Sequence, residues 1–404
     1  MPSPADVKPR LSHALCGADL RTIAEVAASG VASGALSAGG VLRLGLAGLA
    51  AVGRLPITLL ESIGPGRGAA TAPMKHPPVF ILGHWRSGTT HLYNVLSKSG
   101  RFGYVSPIAT GLPWDFVLLE RFLGPLLRKS LPSGRYIDSI PVNPDSPQED
   151  EIALANMQRL SFYHGLYLPK RIERELSEGL FFDGASPAQI ARWQRCVRRF
   201  FNKLERTQPG PDGSGTTLLI KNPVYAARVK LLRETFPGAK FVHIQRDPYR
   251  VLPSMRNFYG VLFKQLGLGP ATGVDIDEIV LGTYTRMMET LYRDTEGLPE
   301  SECLHVRFED FERAPLGTIG DIYSKLDLHG GDAGFKAARP AFERYLDSVK
   351  GYKKNRYAPD PDIARLVNDR WGAWVDRLGY ERREPEAGSE VEPKSGTSAE
   401  PALT

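Results

Sequence analysis

Short apolar runs recur along the chain, and patterns of helical spacing lie between them. Four runs have the length and composition of buried strands: residues 79–82, 216–220, 239–245 and 303–308. After the first run, Leu92, Val95 and Leu96 recur at helical spacing and Gly100 provides a stop. Residues 275–294 also have a helical pattern. This alternation predicts an α/β fold in which a parallel sheet is flanked by helices.

The first 70 residues differ from the rest because they are rich in Ala, Gly and Leu. Arg43 is the only charged residue between positions 26 and 53. One helical face holds Leu42, Leu46 and Leu49, and another holds Arg43, Ala47 and Arg54. This pattern predicts an amphipathic helix over about residues 41–55. Two interpretations remain open: a helix packed on the rest of the protein, or a helix lying in a membrane interface, with peripheral contact through residues 20–60.

Neither a spanning helix nor a cleaved leader is expected in this region. Six glycines fall between positions 30 and 48, too many for a strongly apolar span of about 20 residues. Several charged residues precede the apolar stretch, which is not typical of a signal peptide. We therefore expect three parts: a helical extension over residues 1–70, one domain over 71–383, and a disordered tail over 384–404 that is rich in Glu, Pro, Ser and Gly.

The amino-acid composition indicates the charge of the ligand and the redox state of the compartment. The 404 residues are 42% hydrophobic and 24% charged, with a net charge of +6. This excess favours anionic ligands, but no run of Lys and Arg predicts nucleic-acid binding. The three cysteines, Cys16, Cys196 and Cys303, are far apart and lack metal-ligand spacing. We expect a reducing, cytoplasmic compartment, with membrane association left open, and no disulfide framework.

A phosphate-binding loop is predicted between the first strand and its helix. Gly83 and Gly88 stand five positions apart, and such glycines let successive backbone N–H groups converge on an anion at a helix N-terminus. Loops that bind nucleotide triphosphates follow the second glycine with Lys and then Ser or Thr. Here Thr89 and Thr90 follow, and the cation is Arg86. The loop therefore suits a group with less charge than Mg-ATP.

Two further strand ends carry candidate ligands for an anion. Lys221 follows the second strand, and ligands in open α/β sheets bind at the carboxyl ends of strands. Arg246 follows the third strand, where Asp247 and Pro248 predict a helix start. Ser254 lies in the second turn of that helix. Arg246 and Ser254 are therefore placed to share a second phosphate.

An acidic segment offers either a helix cap or a catalytic base. Ser146 and Glu149, with Pro147 between them, have the spacing of a capping box. Asp150 and Glu151 would be stabilised in the first turn of that helix. Alternatively, one of these carboxylates deprotonates an acceptor.

Taken together, these motifs resemble the sulfotransferases that use 3′-phosphoadenosine 5′-phosphosulfate (PAPS). The resemblance runs from about residue 77 to 380 and includes the blocks GHWRSGTT, SPQEDE and GYKKN, as in a bacterial branch of that family. It implies that Arg86, Ser87, Gly88, Thr89 and Thr90 hold the 5′-phosphosulfate. It further implies that Arg246 and Ser254 hold the 3′-phosphate, and that Lys353, Lys354 and Asn355 close over the nucleotide.

The resemblance implies in-line transfer of a sulfuryl group to a hydroxyl or amine, with 3′,5′-adenosine bisphosphate as the product. Arg86 and Lys221 are expected to stabilise the charge that grows on the departing oxygen. No metal site is expected, because the transferred group carries less charge than a γ-phosphoryl group. The alternatives are a P-loop nucleotide kinase and a membrane-associated nucleotide-binding protein without catalysis.

The general base differs among the families that this chain resembles. Cytosolic members place a histidine just after the strand that corresponds to residues 216–221, and the related bacterial branch often has one where this chain has Tyr225. Members that act on protein tyrosine place a glutamate shortly after the first loop, where this chain has residues 105–107, Val-Ser-Pro. We favour Glu149, with Asp150, Glu151, His84 and Tyr225 as the other candidates.

The acceptor is indicated only by an apolar segment. Residues 107–131 have a helical pattern rich in Leu, Phe and Trp. Such a segment is either core or the wall of an acceptor pocket, since these pockets are mostly apolar. A small-molecule or lipid-like acceptor is therefore expected.

Overall fold

The computed structural model describes residues 13–130, 145–208, 210, 216–351 and 360–384. Within these residues, five parallel strands form one sheet in the order β2-β3-β1-β4-β5. The strands are β1 (Val79–Leu82), β2 (Phe102–Gly103), β3 (Thr217–Lys221), β4 (Lys240–Gln245) and β5 (Cys303–Arg307). The predicted α/β fold is confirmed, and the four predicted runs are strands. The short β2 was not predicted, because two residues carry no periodicity.

The α-helices of the described chain flank this sheet. They are α1 (Leu20–Ala32), α2 (Ala38–Ile63), α3 (Thr89–Leu96), α4 (Pro107–Gly111), α5 (Phe116–Ser130), α6 (Glu151–Ala155), α7 (Tyr163–Tyr167), α8 (Ile172–Leu180), α9 (Pro187–Thr207), α10 (Val229–Thr235), α11 (Pro248–Leu266), α12 (Ile276–Thr295), α13 (Phe308–Arg313), α14 (Pro315–Lys325), α15 (Asp332–Ser348) and α16 (Pro361–Arg377). Short 3₁₀ turns cover Ala14–Gly17, Ser97–Ser99, Pro169–Arg171 and Pro223–Ala227.

The sheet separates two hydrophobic cores. Successive side chains of a strand point to opposite faces, so Phe80 and Leu82 join one core while Val79 and Ile81 join the other. The first core contains residues of α1, α2, α9, α11 and α12, and the second contains residues of α3, α14 and α15. The N-terminal helices thus share the larger core with the sheet.

Helix α2 is longer than the predicted 41–55, and it packs through the side that includes Ala47. Its buried apolar residues are mostly small, including Ala47 and Ala51. At Gly40 a β-carbon would lie 1.8 Å from the backbone oxygen of Leu268, so this contact requires glycine. Leu49, on the face that holds the leucines, is 70% exposed.

Polar side chains anchor α2 to the protein. Arg54 and Thr58 both donate to Asp115, over 2.6 and 2.7 Å. Glu61 pairs with Lys203 of α9, and both side chains are completely buried. Lys203 also donates to the backbone oxygen of Pro113 over 2.8 Å. Burial lowers the pKa of Lys203 to about 8, although Glu61 opposes this shift.

The apolar segment predicted over residues 107–131 forms two helices, α4 and α5, instead of one. Phe116 and Leu119 of α5 are buried in the core, as one interpretation required. Phe122 and Leu126 are instead 72% and 65% exposed. Part of this segment is therefore surface.

Replacing Lys203 by Met should destabilise the protein, because Glu61 would remain buried without its cation. Loss of one partner of a buried ion pair costs about 3–5 kcal/mol, and urea unfolding at neutral pH measures this cost. The double variant Lys203→Met/Glu61→Gln removes both charges and should recover most of the lost stability. Equal stability of the single variant and the wild type would show that the pair does not anchor α2.

Candidate functional site at the carboxyl edge of the sheet

The loop between β1 and α3 has a backbone that requires glycine at both ends. Gly83 and Gly88 have φ angles of 148° and 97°. A β-carbon at Gly83 would lie 2.5 Å from the backbone oxygen of Ile244, and one at Gly88 would lie 2.1 Å from Phe308. Helix α3 begins at Thr89, and the first N–H groups of a helix have no acceptor within the helix. The loop therefore has the backbone geometry of an anion site.

Arg86 joins this loop to the junction of β4 and α11. Its Nε donates to Ser254 Oγ over 2.7 Å, and its backbone oxygen accepts from Arg246 Nη1 over 3.0 Å. The guanidinium of Arg246 lies 4.4 Å from the ring centre of Phe308, which also packs against Gly88. The structure thus brings Arg86, Arg246 and Ser254 together, so both predicted anion sites lie side by side.

The local structure predicted at Arg246 is confirmed. Asp247 is the N-cap of α11 and accepts from Tyr249 N over 2.9 Å, and Pro248 is the first helical residue. Burial lowers the pKa of Arg246. Because the guanidinium is desolvated but still charged, an anionic ligand beside it would be bound more strongly than at an exposed arginine.

Lys221 is the last residue of β3, and its side chain is only 2% exposed. Its ammonium donates to the carboxylate of Glu149, whose side chain is 15% exposed. It also lies 3.3 Å from Thr90 Oγ1 in the first turn of α3. Three predicted site residues therefore meet at the N-terminus of the helix that follows the glycine loop.

The predicted capping box at Ser146 and Glu149 is wrong. Helix α6 begins at Glu151 with Asp150 as its N-cap, and residues 146–149 precede it without regular structure. The carboxylate of Glu149 binds Lys221 instead of capping a helix. A cap contributes about 1 kcal/mol, which is less than the cost of leaving a buried ammonium without a partner.

A buried polar network lies next to this ion pair. Asn222 Nδ2 donates to Asp150 Oδ1 and to Glu151 Oε2, each over 2.9 Å. Tyr225 donates its hydroxyl to Asp150, and Ser161 donates to Glu151 over 2.7 Å. Burial raises the pKa of Asp150 to about 7 and also raises the pKa of Glu151. The residue after Lys221 is thereby bound to the two residues after Glu149.

This network bears on the five candidates for the base. Asp150, Glu151 and Tyr225 are completely buried and already paired. His84 is 2% exposed, its Nδ1 lies 2.9 Å from the backbone oxygen of Trp85, and burial lowers its pKa to about 4. Among these five, only Glu149 has a side chain that reaches solvent.

Two groups of residues remain: predicted site residues that the structure does not describe, and site residues that the sequence analysis missed. Lys353, Lys354 and Asn355 lie outside the described residues, so their predicted contact with the nucleotide stays a prediction. Asn222 and Phe308 were missed by the sequence analysis. The position of Asn222 directly after Lys221 at a strand end was an available signal for it. No sequence signal distinguished Phe308 from the other apolar residues of the predicted strand at 303–308.

Comparison with known proteins identifies the family. Residues 77–332 match the model of the sulfotransferase family. The chain belongs to this family. It is 31% identical over 328 residues, 81% of each chain, to omega-hydroxy-beta-dihydromenaquinone-9 sulfotransferase Stf3 of Mycobacterium bovis, and equally similar to the protein of that name from Mycobacterium tuberculosis. The chain is therefore a sulfotransferase, and the family implies PAPS as its co-substrate. The two alternative functions, a nucleotide kinase and a binding protein without catalysis, are therefore set aside.

Solved structures show the same sulfotransferase fold. The STF9 structure from Mycobacterium avium superposes with a TM-score of 0.63 at 16% identity, covering 87% of this chain and 88% of its own. The STF1 structure from Mycobacterium tuberculosis H37Rv gives 0.57 at 17% identity, covering 87% and 91%. At these identities the comparison supports the fold alone.

The buried Asp150 should make the stability of this sulfotransferase depend on pH. Its ordinary pKa is 3.8 and its folded pKa is about 7, so between these values the folded state holds a proton that the unfolded state releases. Stability from this group should be complete below pH 4 and decline as the pH rises to 7. Asp150→Asn, which stays neutral, should lack this decline.

Urea unfolding of both proteins between pH 4 and pH 8 measures the effect. The stability of Asp150→Asn relative to the wild type should rise with pH, by at most about 1.4 kcal/mol per pH unit. Asp321→Asn, which removes an exposed carboxylate on α14, is the matched control. Parallel pH profiles for wild type and Asp150→Asn would contradict the assignment.

Proposed function

We propose that this sulfotransferase transfers the sulfuryl group of PAPS to the hydroxyl of a lipid-like acceptor, with Glu149 as the general base. The observation that supports this role is the contact of Lys221 with both Glu149 and Thr90. One lysine thereby touches the loop proposed to hold the donor and the carboxylate proposed to receive the acceptor proton.

The donor is proposed to lie across the two joined anion sites. The backbone and hydroxyls of residues 86–90 bind the 5′-phosphosulfate, and Arg246 with Ser254 binds the 3′-phosphate. The hydrogen bond between Arg86 and Ser254 supports this arrangement, because it joins the loop directly to the second site. The predicted cluster at residues 353–355 would then cover the nucleotide.

In the proposed reaction, the acceptor oxygen forms a bond to sulfur while the bond from sulfur to the 5′-phosphate oxygen breaks. Glu149 takes the acceptor proton, and the products are the sulfate ester and 3′,5′-adenosine bisphosphate. Lys221 and Arg86 stabilise the negative charge on the departing oxygen. When the bridging oxygen of the donor engages the ammonium of Lys221, the carboxylate of Glu149 is released to act as base. No metal takes part in this proposal.

The acceptor proposal rests on the link between the segment that carries Glu149 and the apolar helices α4 and α5. Gln148 N donates to the backbone oxygen of Val105 over 2.9 Å, so the segment that carries Glu149 is tied to the start of α4. Trp114, between α4 and α5, donates to the backbone oxygen of Asn156 over 3.0 Å. An apolar acceptor chain could therefore lie along α4 with its hydroxyl at Glu149. The related Stf3 proteins act on a hydroxylated menaquinone, which supports the same chemical class.

Lys221→Ala should lower kcat by about 10²–10³, because it removes a preorganised donor to the leaving oxygen. Glu149→Gln should lower kcat by about 10²–10⁴, as expected for loss of a general base. Transfer of ³⁵S from labelled PAPS measures both effects. Lys230→Ala, which removes an exposed lysine on α10, should keep normal turnover. Near-normal turnover of Lys221→Ala would remove this lysine from the chemistry.

A set of acceptors tests the proposed substrate class. Labelled PAPS is supplied with a long-chain terminal alcohol, a polyisoprenoid alcohol, a phenol and a sugar, and Glu149→Gln serves as the inactive control. We expect label in the two lipid alcohols, with kcat/KM rising with chain length as more apolar surface is buried. Preferential labelling of the phenol or the sugar would contradict a lipid-like acceptor.

A further inference from the structure

The exposed surface of α2 is entirely apolar. Every exposed residue of this helix is Ala, Gly, Pro, Val, Leu or Ile. The large ones are Val41, Leu42, Leu46, Leu49, Val52, Leu55, Leu59, Leu60 and Ile63. Positions 42, 46, 49, 53, 56, 60 and 63 follow one helical stripe. From residue 41 to residue 63 this surface extends for about 33 Å.

The charged residues of α2, together with Thr58, face the protein. Arg54 and Thr58 bind Asp115, Glu61 binds Lys203, and Arg43 donates to the backbone oxygen of Gly267 over 3.0 Å. A surface helix of a water-soluble protein normally shows the opposite arrangement, with its apolar side in the core. This helix is therefore built for apolar surroundings on its outer side.

Helix α5 extends the same kind of surface. Phe122, Leu123 and Leu126 are 72%, 42% and 65% exposed, and α5 packs against α2. Lys129 is also exposed and follows Phe122 and Leu126 at helical spacing, on the same face. A cation at the edge of an apolar surface is placed to meet an anionic lipid headgroup.

We propose that the outer faces of α2 and α5 dock this enzyme onto an anionic lipid bilayer, with α2 lying in the interface. Within the described residues, α2 is the one helix that is long and apolar enough, by length and composition, to cross a membrane. It does not cross, because Arg54 and Glu61 bind Asp115 and Lys203 on the body of the enzyme along one side of the helix. Helices that lie in the interface bury one apolar face and keep a polar face elsewhere.

The composition of the surface favours lipid over a second copy of this chain. Protein interfaces carry about one hydrogen bond per 100–200 Å² and are only slightly more apolar than other surfaces. The exposed side chains of α2 offer no donor or acceptor. The backbone groups inside a helix bond to one another, except that the carbonyl of Val52 has no N–H to accept from at Pro56. Lipid hydrocarbon forms no hydrogen bonds, so it is a suitable neighbour for this apolar surface.

This inference goes beyond the proposed chemistry and does not require it, but the two are compatible in space. Helix α4 packs against both α5 and α6, and the residue before α6, Asp150, follows Glu149. The docking face is thus connected to the base by one apolar segment.

Flotation of the full chain with vesicles tests the proposal. Vesicles of phosphatidylcholine with about one third phosphatidylglycerol should carry the wild type to the top of a density gradient. Leu49→Glu/Leu59→Glu should lower the bound fraction relative to the free fraction at least about tenfold, because each change replaces an exposed leucine that the bilayer would bury by a charge. Lys129→Glu should lower the gain in binding that phosphatidylglycerol gives over pure phosphatidylcholine by at least about fivefold.

A matched control adds the same charges elsewhere. Ala333→Glu/Ala337→Glu changes two exposed positions of α15, which packs in the core on the opposite side of the sheet, and it should bind vesicles as the wild type does. Activity on a short soluble alcohol should be equal in all these variants. This activity assay tests the proposed chemistry, and flotation tests the docking proposal independently of it.

Two results would overturn the docking proposal. One is a wild type that stays with the soluble fraction or binds vesicles no better than Leu49→Glu/Leu59→Glu. The other is a wild-type dimer in light scattering that this double change dissociates while vesicles are not bound, because the occupant of the face would then be a second copy.

Discussion

Lys221 ends a central strand with an ammonium that is almost fully removed from water, and such a cation is stable only with an anion beside it. Glu149 supplies that anion. Asn222 then binds the two residues that follow Glu149, so the strand end and the acidic segment are held in one register. The position of the pair therefore depends on packing that is itself buried and satisfied, as a preorganised site requires.

The glycine loop also depends on close packing. Gly88 packs against Phe308, and the guanidinium of Arg246 lies 4.4 Å from the centre of the same ring. Arg86 then spans from the loop to Ser254. Because arginine presents a planar fork of donors, it can bridge two sites in a way that a lysine cannot. Arg86 thus gives the loop a cation in place of the lysine that nucleotide kinases have after the second glycine.

Features set by local sequence could be predicted, and features set by distant partners could not. The strands followed from apolar runs, the loop from Gly83 and Gly88, and the start of α11 from Asp247 and Pro248. The capping box failed because Glu149 has a partner 72 positions away, and no local pattern encodes that distance. The order of the strands and the short β2 likewise depend on pairing between separated segments.

Helix α2 shows the same limit in another form. The sequence pattern of α2 predicted a helix with two different faces. It could not predict which face packs on the protein, because that depends on contacts with residues distant in sequence. Here Asp115 and Lys203, both distant in sequence, hold the polar face against the enzyme, so the leucines are left outside. A buried ion pair gives little net stability over an apolar contact of the same shape. Its effect here is on orientation: the charges fix the polar side of α2 on the enzyme, and the large apolar side chains face outward.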